Sequence, residues 1–384
     1  MRILYITTGS QATVYAVAPL LAAARTAGHD VLLAANESLM RFAAAVEIPA
    51  VSVTPTPTRY FVMAEPDKPF DPLAPRDLEE EMLRTGRGYA KLAAVTLDPL
   101  LDLADDWAPD LLVGGSMNYV TGPLAAHLKI PYARHVEYLR VPLAAVDPVA
   151  ERSLAPELER RGLAATHEPD LFLDPTPPSL RAPHPGPVQP VRYIPRNPQR
   201  TLEPWMYTRP AGRPRVLVTS GNHFRMLPAD SLLSLVRQLA ATGAEVLLAA
   251  PDRAAEELRA AAPDGVRVGW MPLDVVAPTC DLAVDHAGAT TAMTLMSAGV
   301  PQVLFPPNSH TVDIAEALTG CGAALTVLPR RPGEGADLGD ELAACGREVL
   351  ASPRYAERAR ALAAEMAAMP APADVVRTLE KLTG

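Results

Sequence analysis

A short apolar run, Leu282 to Asp285, stops in a turn of small residues and resumes as an amphipathic segment from about Ala289 to Ser297. The turn holds His286, Gly288, Ala289, Thr290 and Thr291. This spacing predicts a buried strand, a tight turn and a helix. The first turn of a helix leaves backbone N–H groups unpaired and carries the positive end of the helix dipole, which suits a phosphate. Gly288 lets a phosphate approach the backbone with no Cβ in the way. Gly299, Val300 and Pro301 then end the helix and lead into another apolar strand, Gln302 to Phe305. Strand, turn, helix, strand in this form is a nucleotide-binding unit, and it lies in the C-terminal half of the chain.

With 384 residues, 48% of them hydrophobic, the chain has material for two cores of ordinary size. A net charge of −9 and the lack of a basic tract argue against nucleic acid and anionic membranes as partners. Cys280, Cys321 and Cys345 lack metal-ligand spacing and read as free thiols of a reducing compartment. Met1 to Thr8 reads as a strand running into a glycine turn, not as a signal peptide. No apolar run reaches the roughly 18 residues needed to cross a bilayer. A cytoplasmic protein, monomer or homodimer, is expected.

The strand–turn–helix order recurs. Strand Ile3 to Thr7 leads through Gly9 and Ser10 into a helix from about Val14 to Ala27, and strand Val31 to Ala34 follows. Strand Leu111 to Val113 leads through Gly114 to Asn118 into a helix ending near Leu128, then strand Tyr132 to Val136. From Phe172 to Pro214 proline is so frequent that no helix is expected, only a linker with an edge strand near Val191 to Ile194. A second unit follows, with strand Arg215 to Thr219, turn Ser220–Gly221, helix Asp230 to Ala241 and strand Glu245 to Ala249. Helix Arg253 to Ala261 and strand Val266 to Val268 come next, and Asp374 to Leu382 closes the chain as an amphipathic helix. The expected fold class is α/β, of the GT-B architecture: two Rossmann-like domains with the active site in the cleft between them. The domains are placed at 1–200, with a Pro-rich linker from about 175, and at 214–365. The last segment, 366–384, is expected to pack back on the first domain.

No G-x-G-x-x-G, P-loop, H-E-x-x-H, C-x-x-C or G-x-S-x-G motif occurs. Neither a bound metal nor a cofactor is therefore expected, beyond a nucleotide-linked substrate.

Trp270 to Leu273, Asp285 to Thr291 and Ala298 to Gln302 resemble the donor-binding signature of the family 1 GT-B glycosyltransferases. More narrowly, Pro204 to Arg209, Thr219 to Gly221 and Pro272 to Asp281 are similar to the angucycline olivosyltransferases of the urdamycin and landomycin type. The resemblance runs the length of the chain. It implies that His286 donates to the donor's α-phosphate, and that Gly288, Ala289 and Thr290 supply backbone N–H groups, Thr290 a hydroxyl as well. The plain alternative for Thr290 is a helix N-cap with no ligand. It further implies a second phosphate contact at Ser220 and Gly221. Trp270 and Pro272 would flank the base, and Met271 and Leu273 would offer backbone groups to the pyrimidine edge. Many members place an acid–Gln pair after the last donor strand, whereas this chain reads Phe305, Pro306, Pro307, Asn308, Ser309, His310. Asn308 and Ser309 remain there to touch the donor. A site stripped of hydroxyl partners suits a 2,6-dideoxyhexose, a sugar that such pathways carry on dTDP.

Most members also carry a histidine base in the turn after the first strand, and Gly9 to Thr13 has none. Ser10 is too weak a base to act alone, and is expected to position the acceptor hydroxyl or relay its hydrogen bond. Glu137, after strand Tyr132 to Val136, is the expected base, where the similar enzymes would have Asp. Its alternative is an ion pair with Arg134 or Arg140. The loop Thr54 to Pro75 offers Tyr60, Phe61, Met63 and Phe70 to a flat aromatic acceptor, unless they pack on their own domain. The expected function is inverting, metal-independent transfer of a deoxyhexose, D-olivose from dTDP-D-olivose, to an angucycline-type aromatic polyketide in antibiotic biosynthesis. A C-glycosidic product is slightly favoured over an O-glycosidic one. The rival readings are a catalytically silent helper subunit of the same fold and a nucleotide-sugar epimerase.

Overall fold

The computed structural model describes residues 1–68, 77–163, 167–209, 211–221, 227–330 and 336–384. The first half holds strands β1 (Arg2–Ile6), β2 (Asp30–Asn36), β3 (Ala50–Thr54), β4 (Leu111–Gly115), β5 (Tyr132–His135), β6 (Leu171–Asp174) and β7 (Val188–Pro190). Between them lie helices α1 (Gln11–Thr26), α2 (Met40–Ala45), α3 (Arg59–Val62), α4 (Leu78–Trp107), α5 (Thr121–Leu128) and α6 (Leu143–Arg160). These strands form one parallel sheet in the order β3-β2-β1-β4-β5-β6-β7. Its two faces are both covered, as an all-parallel sheet requires. On β1, Ile3 and Tyr5 pack with Val14, Val17 and Leu21 of α1. The alternate residues Leu4 and Ile6 pack with Ala93, Leu97 and Leu100 of α4.

After a short helix, α7 (Pro204–Tyr207), the second half holds β8 (Arg215–Thr219), β9 (Glu245–Ala249), β10 (Arg267–Gly269), β11 (Leu282–Asp285), β12 (Gln302–Leu304) and β13 (Ala324–Thr326). Its helices are α8 (Ala229–Ala241), α9 (Asp252–Ala261), α10 (Leu273–Val276), α11 (Ala289–Ser297) and α12 (Ser309–Gly320). They are followed by α13 (Leu338–Ala351), α14 (Pro353–Ala368) and α15 (Pro372–Glu380). The second parallel sheet runs β10-β9-β8-β11-β12-β13. The molecule is thus α/β with two Rossmann-like sheets, the GT-B arrangement. Val375, Val376 and Leu379 of α15 are buried in the first sheet's core beside Val14 and Val17. No helix among the described residues is long and apolar enough to cross a membrane.

Each sheet reverses its direction of growth once. The chain passes from β1 outward to β3, then returns to lay β4 beside β1. It likewise passes from β8 to β10, then returns to lay β11 beside β8. At such a point the loops from two adjacent strands diverge to opposite faces, and a crevice opens at the carboxyl ends.

Three local readings need correction. The edge strand is Val188–Pro190, paired with β6, and not Val191 to Ile194. Val191 N–H still donates to the Asp174 carbonyl of β6 at 3.0 Å, but Arg192 N–H donates to the Pro370 carbonyl at 2.8 Å, so the pairing goes no further although Val191 and Tyr193 are buried. The Pro-rich segment does hold helical turns, a 3-10 turn at Pro178–Leu180 and an α-helical one at Pro204–Tyr207, because proline at the first helical position loses no hydrogen bond. The longest helix, α4, goes unread in the sequence. Glu79 to Glu81 suit a helix start, but Gly86, Gly88 and Pro99 read as breakers within it.

Candidate functional site

β8 and β11 are paired so that Thr219 lies opposite Asp285 at their carboxyl ends. Both side chains accept a hydrogen bond from the backbone two residues on. Gly221 N–H donates to Thr219 Oγ1 at 3.1 Å, and Ala287 N–H donates to Asp285 Oδ1 at 2.8 Å. At both receiving positions the backbone is left-handed, with φ +61° at Gly221 and +57° at Ala287. Glycine enters that region freely, whereas an alanine there costs roughly 1–2 kcal/mol.

His286 is the residue these turns display. A Cβ on Gly221 would come within 2.9 Å of its ring, and one on Gly288 within 2.3 Å. A Cβ at either point would displace the ring, so the imidazole is wedged between the two loops of the switch point. Gly288 is the N-cap of α11 and provides no side-chain cap for the first-turn N–H groups. Thr290 is therefore not the N-cap that the alternative reading made it. Gly288, Ala289 and Thr290 are half-buried, and the Thr290 carbonyl accepts from Tyr193 Oη at 3.3 Å. Ser220 is buried at the end of β8.

The other residues expected at the donor follow β10 and β12 of the same sheet. Trp270 follows β10, is half-buried, and carries the Arg200 guanidinium 4.3 Å from its ring centroid. Met271 is buried in a cluster with Val276 and Leu295, and Leu273 packs against it. Pro272 is the N-cap of α10. Asn308 follows β12 and closes a capping box on α12, its Oδ1 accepting from Thr311 N–H at 3.0 Å. Ser309 begins that helix and is buried.

On the first sheet, Glu137 follows β5 and is 3% exposed. One carboxylate oxygen accepts from Ser116 N–H at 3.0 Å and from the Ser116 hydroxyl. The other lies where a Cβ on Gly115 would come within 2.4 Å, so glycine at the end of β4 makes its room. Burial pushes the Glu137 carboxyl above its ordinary range, and the Ser116 hydrogen bonds and the Arg134 charge oppose that rise. Neither ion pair considered for Glu137, with Arg134 or with Arg140, forms, and Arg134 is engaged with Asp147 at 2.8 Å and with the Ser116 carbonyl. Arg134 thus braces the loop that braces Glu137.

Ser10 is the N-cap of α1 and is exposed. Its Oγ accepts from Ala12 N–H at 3.2 Å, which leaves its own proton to donate. The loop after β3 is tied beside it, because Gly9 N–H donates to Thr58 Oγ1 at 3.1 Å. There α3 packs against α4 so closely that a Cβ on Gly88 would come within 2.4 Å of the Phe61 carbonyl. Tyr60 and Met63 are exposed, Phe61 is half-buried, and Tyr60 Oη donates to Asp67 at 2.6 Å. Phe70 lies outside the described residues.

The two halves meet just past Glu137. Tyr138 lies against His310, and Leu139 is buried with Ala287, Met293 and Ile314 of the second half. Ser116, Thr219, Asp285, Tyr138 and His310 are positions to which sequence reasoning gave no role of their own, although Thr219 and Asp285 stood inside the motifs it singled out. For Ser116, the Gly-Gly-Ser turn after a strand was a usable signal.

Residues 22–221 match the family model described as erythromycin biosynthesis protein CIII-like, N-terminal domain, and residues 233–382 match the corresponding C-terminal domain. The L-demethylnoviosyl transferase of Streptomyces niveus is 33% identical over 332 residues, 85% of this chain and 85% of its own. The aclacinomycin-T 2-deoxy-L-fucose transferase of Streptomyces galilaeus is 29% identical across 100% of this chain and 96% of its own. The glycosyltransferase SsfS6 of Streptomyces sp. SF2575, solved in complex with thymidine diphosphate, is similar at a TM-score of 0.83 and 31% identity, covering 99% of each chain. The chain belongs to the erythromycin biosynthesis protein CIII-like family and is a family 1 glycosyltransferase of GT-B fold.

Proposed function

We propose that this glycosyltransferase moves a 2,6-dideoxyhexose, D-olivose, from dTDP to an angucycline-type aromatic polyketide, with inversion and without a metal ion. The observation that carries the reading is the His286 ring wedged between Gly221 and Gly288 at the uncapped start of α11. An imidazole donor, a helix N-terminus and glycine-lined backbone together suit a diphosphate. The thymidine diphosphate bound to SsfS6 supports the choice of nucleotide, and the 2-deoxy-L-fucose transferase supports a sugar poor in hydroxyls. Asn308 is compatible with that sugar, since its side-chain oxygen already serves its own helix.

In this reaction the acceptor attacks the anomeric carbon on the face opposite the diphosphate. The bond from that carbon to the phosphate oxygen breaks, and its electron pair leaves with dTDP. His286 and the α11 N–H groups stabilise the charge that develops there. Glu137 takes the proton lost by the acceptor. Its buried setting raises its affinity for that proton, as the task of a base near neutral pH requires. A phenol is acidic enough for such a base, and its phenolate also activates the ortho and para carbons. The C-glycosidic product is favoured slightly on this account.

One incubation tests the reading. The protein is mixed with dTDP-D-olivose and a panel of angucyclinones, and products are read by mass spectrometry and proton NMR. A mono-olivosylated product with inverted anomeric configuration is the expected result. An O-linked product would overturn the carbon-linkage choice, and no transfer to any angucyclinone would overturn the acceptor class.

A further inference from the structure

The two loops of the donor switch point are built on the same plan with one inequality. Thr219 supports a left-handed glycine, and Asp285 supports a left-handed alanine. The glycine needs little help to stay in that region, and the alanine needs more. The stronger acceptor stands where the help is needed, at 2.8 Å against 3.1 Å.

Asp285 is fully buried, and its backbone carbonyl accepts from Phe305 N–H at 3.0 Å, so its place is set by β12 as well as by β8. Its Oδ2 has no hydrogen-bond partner among the described residues. A fully buried carboxyl with one unmatched oxygen is costly to keep. Asp285 is buried more deeply than His286. It lies one residue before it and acts on the residue just after it. The conformation of Ala287 decides where the His286 ring and the Gly288 N–H point, because both are attached to its two peptide planes.

We propose that Asp285 is the positioning residue of the diphosphate seat, holding Ala287 left-handed so that His286 and the α11 N-terminus aim at one point. The proposal rests on the dTDP reading given above. It assigns Asp285 no contact with the donor.

The test measures dTDP affinity by isothermal titration calorimetry on the full chain, with thermal melting followed in parallel. The Asp285→Ala variant is expected to bind dTDP about 10-fold more weakly, the scale of one unsupported left-handed alanine. Asp285→Asn keeps an oxygen for the Ala287 N–H and should recover most of that loss. Ala287→Gly placed in the Asp285→Ala background should also recover most of it, since glycine needs no support. Thr219→Val should cost less than Asp285→Ala, because it supports a glycine. Ala287→Val, with Asp285 intact, should weaken binding by about 10-fold or more, as a β-branched residue resists this region. That variant keeps the proposal open to refutation even if Asp285→Ala fails to fold.

A role in folding alone would lower the melting temperature of Asp285→Ala with no rescue of affinity by glycine. Unchanged affinity in folded Asp285→Ala, no rescue by Ala287→Gly, or wild-type affinity in Ala287→Val each overturns the proposal. Failure of the wild-type chain to bind dTDP would remove the donor reading and this proposal together. Wild-type binding with an indifferent Asp285→Ala would remove this proposal alone.

Discussion

The Tyr138 ring rests on His310, with centroids 5.2 Å apart and planes inclined at 58°. Tyr138 follows Glu137 at the end of the first sheet, and His310 lies in the first turn of α12 on the second. Burial holds the His310 imidazole down at about 4, so the contact is between neutral rings at physiological pH. The candidate base is thereby tied to the donor half through the next residue along the chain.

Removing that ring should loosen Glu137 without touching the nucleotide. Tyr138→Ala is expected to bind dTDP as the wild type does and to turn over about 10- to 100-fold more slowly, the cost of a misplaced catalytic group. Calorimetry and steady-state rates check it together. A parallel loss of dTDP affinity would show that the loop supports the phosphate turn instead.

Glu137→Gln should retain dTDP affinity and lose roughly 10² to 10⁴ in turnover, the range for a missing general base. Glu137→Asp should keep part of the activity, and Ser10→Ala should cost less than either. The acid limb of kcat/KM should lie above the ordinary carboxylate range, because burial raises the Glu137 pKa and only the ionised form is a base. Ser116→Ala removes a hydrogen bond that lowers this pKa, so the limb should move to higher pH still. Wild-type turnover in Glu137→Gln at neutral pH would assign the proton elsewhere.

His286→Ala should weaken dTDP binding and reduce turnover by on the order of 10² or more, the scale of one lost charge-stabilising donor. Binding of dTDP to the wild-type chain should survive exhaustive chelation. Among the described residues no group of three or more His, Cys, Asp or Glu side chains is placed to hold a metal ion. An absolute requirement for Mg²⁺ or Mn²⁺ in the calorimetric titration would contradict the proposed phosphate seat.

Asp285 should leave a signature in stability against pH. Burial raises its carboxyl from 3.8 to about 7 in the folded chain. The native state therefore holds this proton more tightly than the unfolded state does. Its contribution is fully present below about pH 4, declines as pH rises, and is gone above about pH 7. Asp285→Asn cannot ionise and should lack this slope. Urea denaturation of both proteins at pH 4.5 and 7.5 should show the wild type losing a few kcal/mol more than the variant between the two values. Equal losses would place the Asp285 pKa near its unfolded value.

Much of the donor turn could be read in the sequence because its parts are adjacent. The apolar run at Leu282, the small residues at Gly288 and Ala289, and the stop at Gly299 all act within a few positions of one another. The buried run Glu245 to Ala249 was legible for the same reason. The helix α4 was not, since Gly86 and Gly88 look like breakers until α3 is seen lying across Gly88. The edge strand at Val188–Pro190 was misplaced because buried Val191 and Tyr193 signal a strand, and burial alone does not say where the ladder hydrogen bonds stop.

By itself the sequence determined the alternation of strands and helices, the two-sheet class and the tight turn between β11 and α11. Those features depend on periodicity, turn chemistry and end capping, and such forces act between near neighbours in the chain. Only the tertiary structure decided that Ser116 grips Glu137, that His286 is wedged against Gly221, and that Thr219 and Asp285 work side by side. Those pairings follow from strand order and register. A parallel sheet obtains both from burial of its two faces as a whole, a property no single segment carries.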